Sequence, residues 1–128
     1  MRKEKYTILY VDDEIINLRM FKNIFRRAYN VITVLSGIEA LEFLKEHEVD
    51  VIITDQKMPE MTGVELLKEV NIKFPGIPPQ RLMLSGYSEN KDIAKAYRDY
   101  KLFKFISKPW HYNELNEIIM NAIELSIK

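Results

Sequence analysis

A short apolar run of the sequence, residues 51–54, is followed directly by an aspartate, Asp55, in a predicted turn. Residues 51–54 are all β-branched, which is typical of a buried strand, and the Met58-Pro59 pair beyond them ends it. Asp55 therefore lies at the carboxyl end of the predicted strand, where open α/β sheets bind their ligands. An aspartate in such a turn is most often a local hydrogen-bonding residue, so a chemical role for Asp55 depends on which other side chains reach it.

Three further acids, Asp12, Asp13 and Glu14, follow the apolar residues 6–11 without a spacer. Adjacent carboxylates repel one another by roughly a few kcal/mol at an effective dielectric constant of about 20, so a positive group is expected beside them. The dipole of a following helix would stabilise one or two acids without any ligand. It explains all three less readily, which favours a bound cation.

Five apolar segments of strand-like composition alternate with five amphipathic segments of helical period. The strands are predicted at residues 6–11, 31–35, 49–54, 81–85 and 102–106, and the last helix from about Asn113 to the end. Every strand is apolar enough to be covered on both faces. This alternation predicts an α/β fold: a (βα)5 doubly wound five-stranded parallel sheet with right-handed crossovers, in a single domain over residues 1–128.

Polar residues mark the starts of three of the helices. Ser36 and Thr62 are each followed three residues later by a glutamate, Glu39 and Glu65, which is the spacing of a capping box. Ser88 can cap the fourth helix through its hydroxyl.

The helical period also predicts which side chains face the core. The predicted inward stripes include Ile24 in the first helix, Tyr97 in the fourth and Leu125 in the last. The first helix carries a basic outer face that includes Arg26 and Arg27. Such a face either complements the helix dipole or docks an acidic or phosphorylated partner.

In a parallel sheet all carboxyl ends of the strands lie on one edge. That edge is predicted to collect three carboxylates, a hydroxyl and an ammonium, from Asp12, Asp13, Asp55, Ser85 and Lys108. The carboxylates are hard oxygen ligands of the kind that Mg²⁺ prefers. Asp55 could then attack a phosphoryl group in line, while Lys108 and the ion neutralise the charge on its oxygens and Ser85 donates a hydrogen bond to one of them.

The bulk composition sets limits on the function. With 128 residues, 47% of them hydrophobic, the chain fits one domain with a proper core, and it contains no cysteine. Lys plus Arg and Asp plus Glu both total 19, so no overall field would draw the domain to nucleic acid or to a membrane surface. Without a signal peptide or a long apolar run, the protein is expected in the cytoplasm.

In order along the chain, these motifs resemble the receiver domain of two-component response regulators, and the resemblance covers essentially the whole sequence. Any one motif is weak, but each stands at the predicted strand end that the family requires. The residues that carry the resemblance are Asp12-Asp13-Glu14 with Asn17, Asp55 with Met58-Pro59 and Gly63, Ser85-Gly86, and Phe105-Ile106-Ser107-Lys108-Pro109.

The resemblance implies a phosphorylation-activated switch that is not an enzyme in its own right. Asp55 would be the phosphoacceptor, and a sensor histidine kinase or a phosphotransfer protein would be the donor. Asp12 or Asp13, together with Asp55 and the backbone carbonyl of Gln56, would bind Mg²⁺, for which Mn²⁺ could substitute. The implied strand order is the flavodoxin-like 2-1-3-4-5.

The resemblance also implies how the switch works. Ser85 and Lys108 would grip the phosphoryl oxygens, Phe105 would occupy the aromatic switch position, and the Lys108-Pro109 bond would be cis. The face formed by the fourth helix, fifth strand and fifth helix would then repack, and a homodimer is expected there. A target protein or an attached output domain would read the change.

Several alternatives remain open on the sequence alone. A pseudo-receiver, an interaction module that signals without phosphate, shares this fold, although it usually lacks an acid or the lysine. Phe105 could be an ordinary core residue. Lys57 is either a solvated turn residue or an ammonium that changes the lifetime of the aspartyl phosphate. The last helix has no stop signal, so it either frays or continues into a longer protein of which this is the N-terminal part.

Two other classes are disfavoured. A flavodoxin would need a first loop that cradles phosphate with hydroxyls and amides, whereas Asp12, Asp13 and Glu14 repel phosphate. A haloacid-dehalogenase-type phosphatase would need an Asp-x-Asp motif after its first strand and a cap module, and the sequence contains neither.

Overall fold

The structure, a computed structural model, describes residues 5–76, 81–86 and 90–126. Strands and helices alternate throughout, and the α/β fold class is confirmed. The strands are β1 (Tyr6–Val11), β2 (Tyr29–Val34), β3 (Val51–Thr54), β4 (Arg81–Ser85) and β5 (Leu102–Ser107). The helices are α1 (Ile15–Phe25), α2 (Gly37–Leu44), α3 (Gly63–Lys73), α4 (Asn90–Asp99) and α5 (Tyr112–Ser126).

The five strands form one parallel sheet in the order β2-β1-β3-β4-β5, so the predicted flavodoxin-like order is confirmed. Val11 at the end of β1 pairs with both Val34 of β2 and Thr54 of β3. On the other side of β3, Ser85 at the end of β4 pairs with Ser107 of β5. The pairing therefore brings the carboxyl ends of all five strands to one edge.

Two of the strands begin at a residue other than the predicted one. β2 begins at Tyr29, two residues earlier than predicted, because Tyr29 pairs with Tyr6 at the start of β1. β3 begins at Val51, two residues later than predicted. Just before β3, the Asp50 amide donates to the Thr7 carbonyl at 2.9 Å, and the Asp50 carboxylate accepts from the Thr7 amide at 2.8 Å. The Asp50 side chain therefore takes the place of a backbone acceptor in the pairing of β1 with β3.

The helix starts confirm one predicted capping box and modify the other. Thr62 and Glu65 form the complete reciprocal box at the start of α3. At α2, Ser36 accepts from the Glu39 amide, but the Glu39 carboxylate accepts from the amide of Leu35. The Glu39 carboxylate thus bonds the amide of the residue before the N-cap, whereas in a complete capping box it would bond the amide of the N-cap residue, Ser36. Ser88, the predicted cap of the fourth helix, lies outside the described residues.

Apolar side chains fill both faces of the sheet. α1 and α5 pack on one face around Phe21, Phe25 and Ile119, and α2 and α3 pack on the other around Leu41 and Leu66. α4 completes the second layer next to α3, where Ala96 is fully buried.

The three residues named above as facing the core do not do so, nor does Ala28, which was predicted on the apolar stripe of the first helix. Ile24 is 41% exposed, Tyr97 43% and Leu125 47%, because each lies at the margin of its helical stripe rather than at its centre. Within the described residues, no helix is both long and apolar enough to cross a lipid bilayer.

Candidate functional site

Backbone hydrogen bonds extend the sheet past the ends of its strands and hold the candidate site residues in place. The Asp55 amide donates to the Val11 carbonyl at 2.9 Å, and the Lys108 amide donates to the Ser85 carbonyl at 3.0 Å. The Asp12 amide is bonded to β2 in the same way, at 3.3 Å. The sheet, and not a free loop, therefore positions the backbones of these residues, and rigid placement of this kind favours a preorganised site.

Three carboxylates meet at this edge, as the sequence predicted. Asp12, Asp13 and Asp55 each present an oxygen, and these oxygens lie within 4.8 Å of one another. Asp12 is fully buried and Asp55 is 6% exposed, whereas Asp13 is nearer the solvent. Buried carboxylates so close together repel one another strongly, and a set of hard oxygens at this spacing suits Mg²⁺. The donor chemistry therefore fits a divalent cation.

Asp12 is the most heavily hydrogen-bonded acid of the cluster. Its Oδ2 accepts from the Tyr10 hydroxyl at 2.9 Å, the Asn17 amide nitrogen at 3.2 Å and the Lys108 ammonium at 3.2 Å. Its Oδ1 accepts from the backbone amide of Glu14 at 3.0 Å. The side chain of Glu14, at the N-cap of α1, makes no capping hydrogen bond, so helix capping does not account for this acid.

Tyr10 is held in its protonated, donating form. Burial is the main reason that the pKa of its hydroxyl is raised, and the negative charge of Asp12 raises it further. A neutral hydroxyl beside a carboxylate donates a charge-assisted hydrogen bond, which is stronger than one between neutral groups.

The two carboxylate oxygens of Asp55 have different partners. Oδ1 accepts from the Gln56 amide at 2.7 Å, and Oδ2 lies 3.7 Å from the Lys108 ammonium. The same ammonium also lies 3.2 Å from Asp12 Oδ2. Lys108 therefore bridges two of the three acids. One oxygen of Asp55 is thus fixed by the backbone while the other faces a cation.

The loop after Asp55 is tied to the start of α3. The Gln56 carbonyl accepts from the Gly63 amide at 2.9 Å, and the Gln56 side chain accepts from the Val64 amide at 2.8 Å. A Cβ at Gly63 would lie 2.3 Å from the Asp55 carbonyl oxygen, so only glycine allows this approach. The Gly63 hydrogen bond uses one of the two lone pairs of the Gln56 carbonyl, and binding of a metal ion by this oxygen stays a prediction.

The remaining predicted residues lie in, or just after, the strands that end at this edge. Ser85 is buried at the end of β4. Phe105 is half-buried and packs against the apolar cluster that α3 and α4 form with β4 and β5, which includes Leu67 and Ala96. Lys57 is exposed in the turn two residues beyond Asp55.

The Lys108-Pro109 peptide bond is cis, as the resemblance implied. Next to it lies an open cavity of about 410 Å³ that reaches the Lys108 side chain. Its lining consists of Tyr10, Asn17, Met20, Lys108, Pro109 and Trp110.

Sequence reasoning missed the contacts that two tyrosines make with predicted site residues. Tyr10 was assigned only to a strand, although the two-residue period places Tyr10 and Asp12 on the same side of β1, and this signal could have linked them. The Tyr97 hydroxyl accepts from the backbone amide of Phe105 at 2.8 Å. Nothing in the helical pattern of α4 indicated that contact.

The fold and this edge define a doubly wound α/β protein whose acidic cluster, at the carboxyl ends of the strands, could hold a metal ion. The sequence model of the response regulator receiver domain matches residues 8–120. This chain belongs to that family, the receiver domains of two-component systems, whose members are typically non-catalytic signalling modules.

Individual relatives agree with this assignment. The chain is 36% identical to the hydrogenase transcriptional regulatory protein HoxA of Cupriavidus necator, and the alignment covers 97% of this chain and 25% of that protein. The chain thus spans about a quarter of the length of this curated relative.

Solved structures agree as well. The signal receiver domain of an HD domain-containing protein from Pseudomonas fluorescens Pf-5 superposes with a TM-score of 0.88 at 28% identity, covering 95% of this chain and 97% of that one. A CheY-like receiver domain protein from Methanospirillum hungatei JF-1 superposes with a TM-score of 0.88 at 25% identity, covering 95% and 96%.

Proposed function

We propose that this domain is a switch activated by phosphorylation of Asp55. The observation that carries the proposal is the pairing of Asp55 Oδ2 with the Lys108 ammonium, 3.7 Å away, inside a cluster of three carboxylates. An acid cluster attracts a divalent cation, and a cation next to a free carboxylate oxygen is what phosphoryl transfer to that oxygen requires. The donor would be a phosphohistidine on a sensor histidine kinase or a phosphotransfer protein.

The metal ligands would be the carboxylates of Asp12, Asp13 and Asp55, with the second lone pair of the Gln56 carbonyl and retained waters. Bound there, Mg²⁺, or Mn²⁺ in its place, would neutralise charge on the transferring phosphoryl group. Asp13 is the most accessible of the three acids and is the natural point of entry for a hydrated ion.

The chain's own residues would carry out the transfer. Asp55 Oδ2 forms the new O–P bond while the P–N bond to the donor histidine breaks, and the imidazole leaves with the electron pair. The Gln56 amide holds Oδ1 and so aims Oδ2 outward. The Lys108 ammonium and the Ser85 hydroxyl donate to the phosphoryl oxygens.

The signal would spread from Ser85 to the face formed by α4, β5 and α5. Ser85 moves toward the phosphoryl group, and Phe105 turns into the space that it leaves. Tyr97 supports this route because its hydroxyl accepts from the backbone amide of Phe105, so a movement of β5 reaches α4 directly.

The output would be a target protein or an attached domain, and a homodimer could form through the same face. HoxA is described as a transcriptional regulatory protein, and the Pseudomonas fluorescens relative as an HD domain-containing protein, so similar domains serve different outputs. The balanced charge of this domain supports a role without direct contact to nucleic acid or membrane.

The proposal can be tested by intact mass after incubation with Mg²⁺ and a small acyl phosphate. We expect one added phosphate on the unaltered protein, none on Asp55→Asn and none with a chelator. Asp50→Asn is the matched control, because Asp50 lies at the opposite end of the same strand and bonds the Thr7 amide; this variant should be phosphorylated normally. Light scattering on the same samples tests whether phosphorylation produces a dimer.

The pseudo-receiver is the competing function. No adduct on a folded protein, with a donor that phosphorylates another receiver domain, would favour it and contradict the proposal. Phosphate that persists on Asp55→Asn would instead mean that a different residue is the acceptor.

A further inference from the structure

Asp12 Oδ2 is shared by three donors, and one of them is needed elsewhere. Tyr10, Asn17 and Lys108 all donate to this oxygen, at 2.9, 3.2 and 3.2 Å. Under the proposed function, Lys108 must grip a phosphoryl group on Asp55, whose Oδ2 is 3.7 Å from the ammonium. Lys108 must therefore loosen its contact with Asp12 for the reaction to proceed.

Releasing Lys108 is costly unless another donor remains on Asp12. The Asp12 side chain is fully buried, so its charge must be compensated by the donors that remain on it and by any ion bound to the cluster when the ammonium leaves. A buried carboxylate that loses one cationic partner is destabilised in proportion to the hydrogen bonds that it does not keep. The remaining donors at Oδ2 therefore determine how readily Lys108 can move.

We propose that Tyr10 is a positioning residue for phosphoryl transfer: its hydroxyl stays on Asp12 Oδ2 and thereby frees Lys108 to follow the phosphoryl group on Asp55. This inference rests on the proposed function. Tyr10 touches neither the donor nor the transferred group and acts only through Asp12.

The surroundings of Tyr10 suit a donor that does not move. Its ring is 1% exposed and lies 4.4 Å, centroid to centroid, from the ring of Phe21 in the core between the sheet and α1. Because Tyr10 precedes Asp12 by two residues on β1, the strand fixes the distance between the two side chains. Asn17 is the weaker donor to the same oxygen, since it lies on α1, is partly exposed and is 3.2 Å away.

Tyr10→Phe removes the hydroxyl and keeps the ring in the core. We expect this variant to accept phosphate from a small acyl phosphate about fivefold more slowly at saturating Mg²⁺, which is the effect of losing one hydrogen bond of ordinary strength. The dissociation constant for Mg²⁺, measured by calorimetry without a phosphate donor, should stay within about twofold of the unaltered value, because the three carboxylates and their spacing remain.

Tyr29→Phe is the matched control. Tyr29 is a buried tyrosine of the same core cluster, and its hydroxyl donates to Asn116 at 3.0 Å, away from the acid cluster. This variant loses a comparable hydrogen bond and should keep the phosphorylation rate of the unaltered protein.

Each other outcome contradicts the inference in a recognisable way. Equal rates for the two variants would mean that the Tyr10 hydroxyl does not assist Lys108. A loss of Mg²⁺ affinity that matches the loss of rate would mean that Tyr10 only maintains the shape of the site. If the unaltered protein accepts no phosphate, the proposed function fails first and the inference fails with it.

Discussion

At the scale of single residues, the two buried acids, Asp12 and Asp55, make different contacts. Asp12 receives four hydrogen bonds on its two oxygens. Among the described residues, Asp55 Oδ2 has only the Lys108 ammonium, at 3.7 Å, as a contact shown at this edge. A carboxylate oxygen that is desolvated but weakly bonded is the better nucleophile, which supports the proposal that Asp55 is the phosphoacceptor.

Lys57 provides a prediction at the same scale. Its ammonium is exposed in the turn two residues beyond Asp55 and would lie near a phosphoryl group on that residue. We expect Lys57→Ala to change the lifetime of the aspartyl phosphate by about two- to fivefold, because an exposed charge interaction contributes up to about 1 kcal/mol. The rate of phosphorylation should change less. Loss of label after removal of the donor measures the lifetime.

Lys68→Ala is the control for this prediction, since Lys68 is an exposed lysine on α3. Identical phosphate lifetimes for Lys57→Ala and the unaltered protein would leave Lys57 as a solvated turn residue.

At the scale of elements, the start of α3 is hydrogen-bonded to the loop that follows Asp55. Thr62 and Glu65 cap the helix reciprocally, and Gln56 bonds two of its first amides. These contacts satisfy backbone donors that a helix start otherwise leaves open. They also fix the loop that carries Asp55, so the stability of α3 and the geometry of the site are linked.

Gly63→Ala should disrupt this link. The added Cβ would lie 2.3 Å from the Asp55 carbonyl oxygen, so α3 or the loop must shift. We expect the free energy of unfolding to fall by about 1–3 kcal/mol, as for overpacking in general, and Mg²⁺ affinity to fall as well. Urea unfolding and calorimetry measure the two effects.

Gly76→Ala is the matched control, because a Cβ at Gly76 would have no heavy atom within 4 Å. Similar losses of stability in both variants would show that close approach at Gly63 is not what limits the substitution.

A second coupling between elements joins α4 to β5. Phe105 lacks a hydroxyl, so its side chain cannot report its position by a hydrogen bond. Its backbone amide instead donates to the Tyr97 hydroxyl at 2.8 Å. Tyr97, although predicted to be a core residue, is therefore placed to carry movements of β5 to the exposed face of α4.

At the scale of the whole molecule, the core contains polar groups whose burial affects stability. The Arg81 side chain is fully buried at the start of β4, where it donates to Asn71 and to the Tyr100 carbonyl, and burial lowers its pKa to about 10. Tyr10 is the corresponding buried hydroxyl at the other end of the sheet. Because the pKa of each of these groups differs between the folded and the unfolded state, the free energy of unfolding changes with pH in the alkaline range.

Tyr10 should make the protein sensitive to high pH. Its pKa is raised in the folded state, chiefly by burial, whereas the unfolded value is 10.0, so above pH 10 the folded state holds a proton that the unfolded chain releases. The stabilisation is complete below pH 10 and declines by about 1.4 kcal/mol per pH unit above it.

Urea unfolding of the unaltered protein and Tyr10→Phe at pH 7, 9 and 11 measures this decline. The difference in stability between the two proteins should stay constant from pH 7 to pH 9 and should shift toward the variant at pH 11. A constant difference at all three values would contradict the assignment of a raised pKa to Tyr10.

The sequence by itself determined the elements of this protein and which side chains end each strand. Apolar periodicity and alternation are properties of the chain in one dimension, and a parallel sheet converts them into a shared edge. The sequence alone therefore predicts that Asp12, Asp13, Asp55, Ser85 and Lys108 meet at one edge.

Only the tertiary structure decided how those side chains share their contacts. Lys108 and Asp12 are 96 positions apart, and the 3.2 Å between them depends on how β5 and β1 are aligned through the sheet. The Tyr10 hydroxyl, the close approach at Gly63 and the exposed position of Tyr97 follow from packing in the same way. A periodic pattern specifies a face, whereas distances of a few tenths of an ångström depend on the packing of all the elements together.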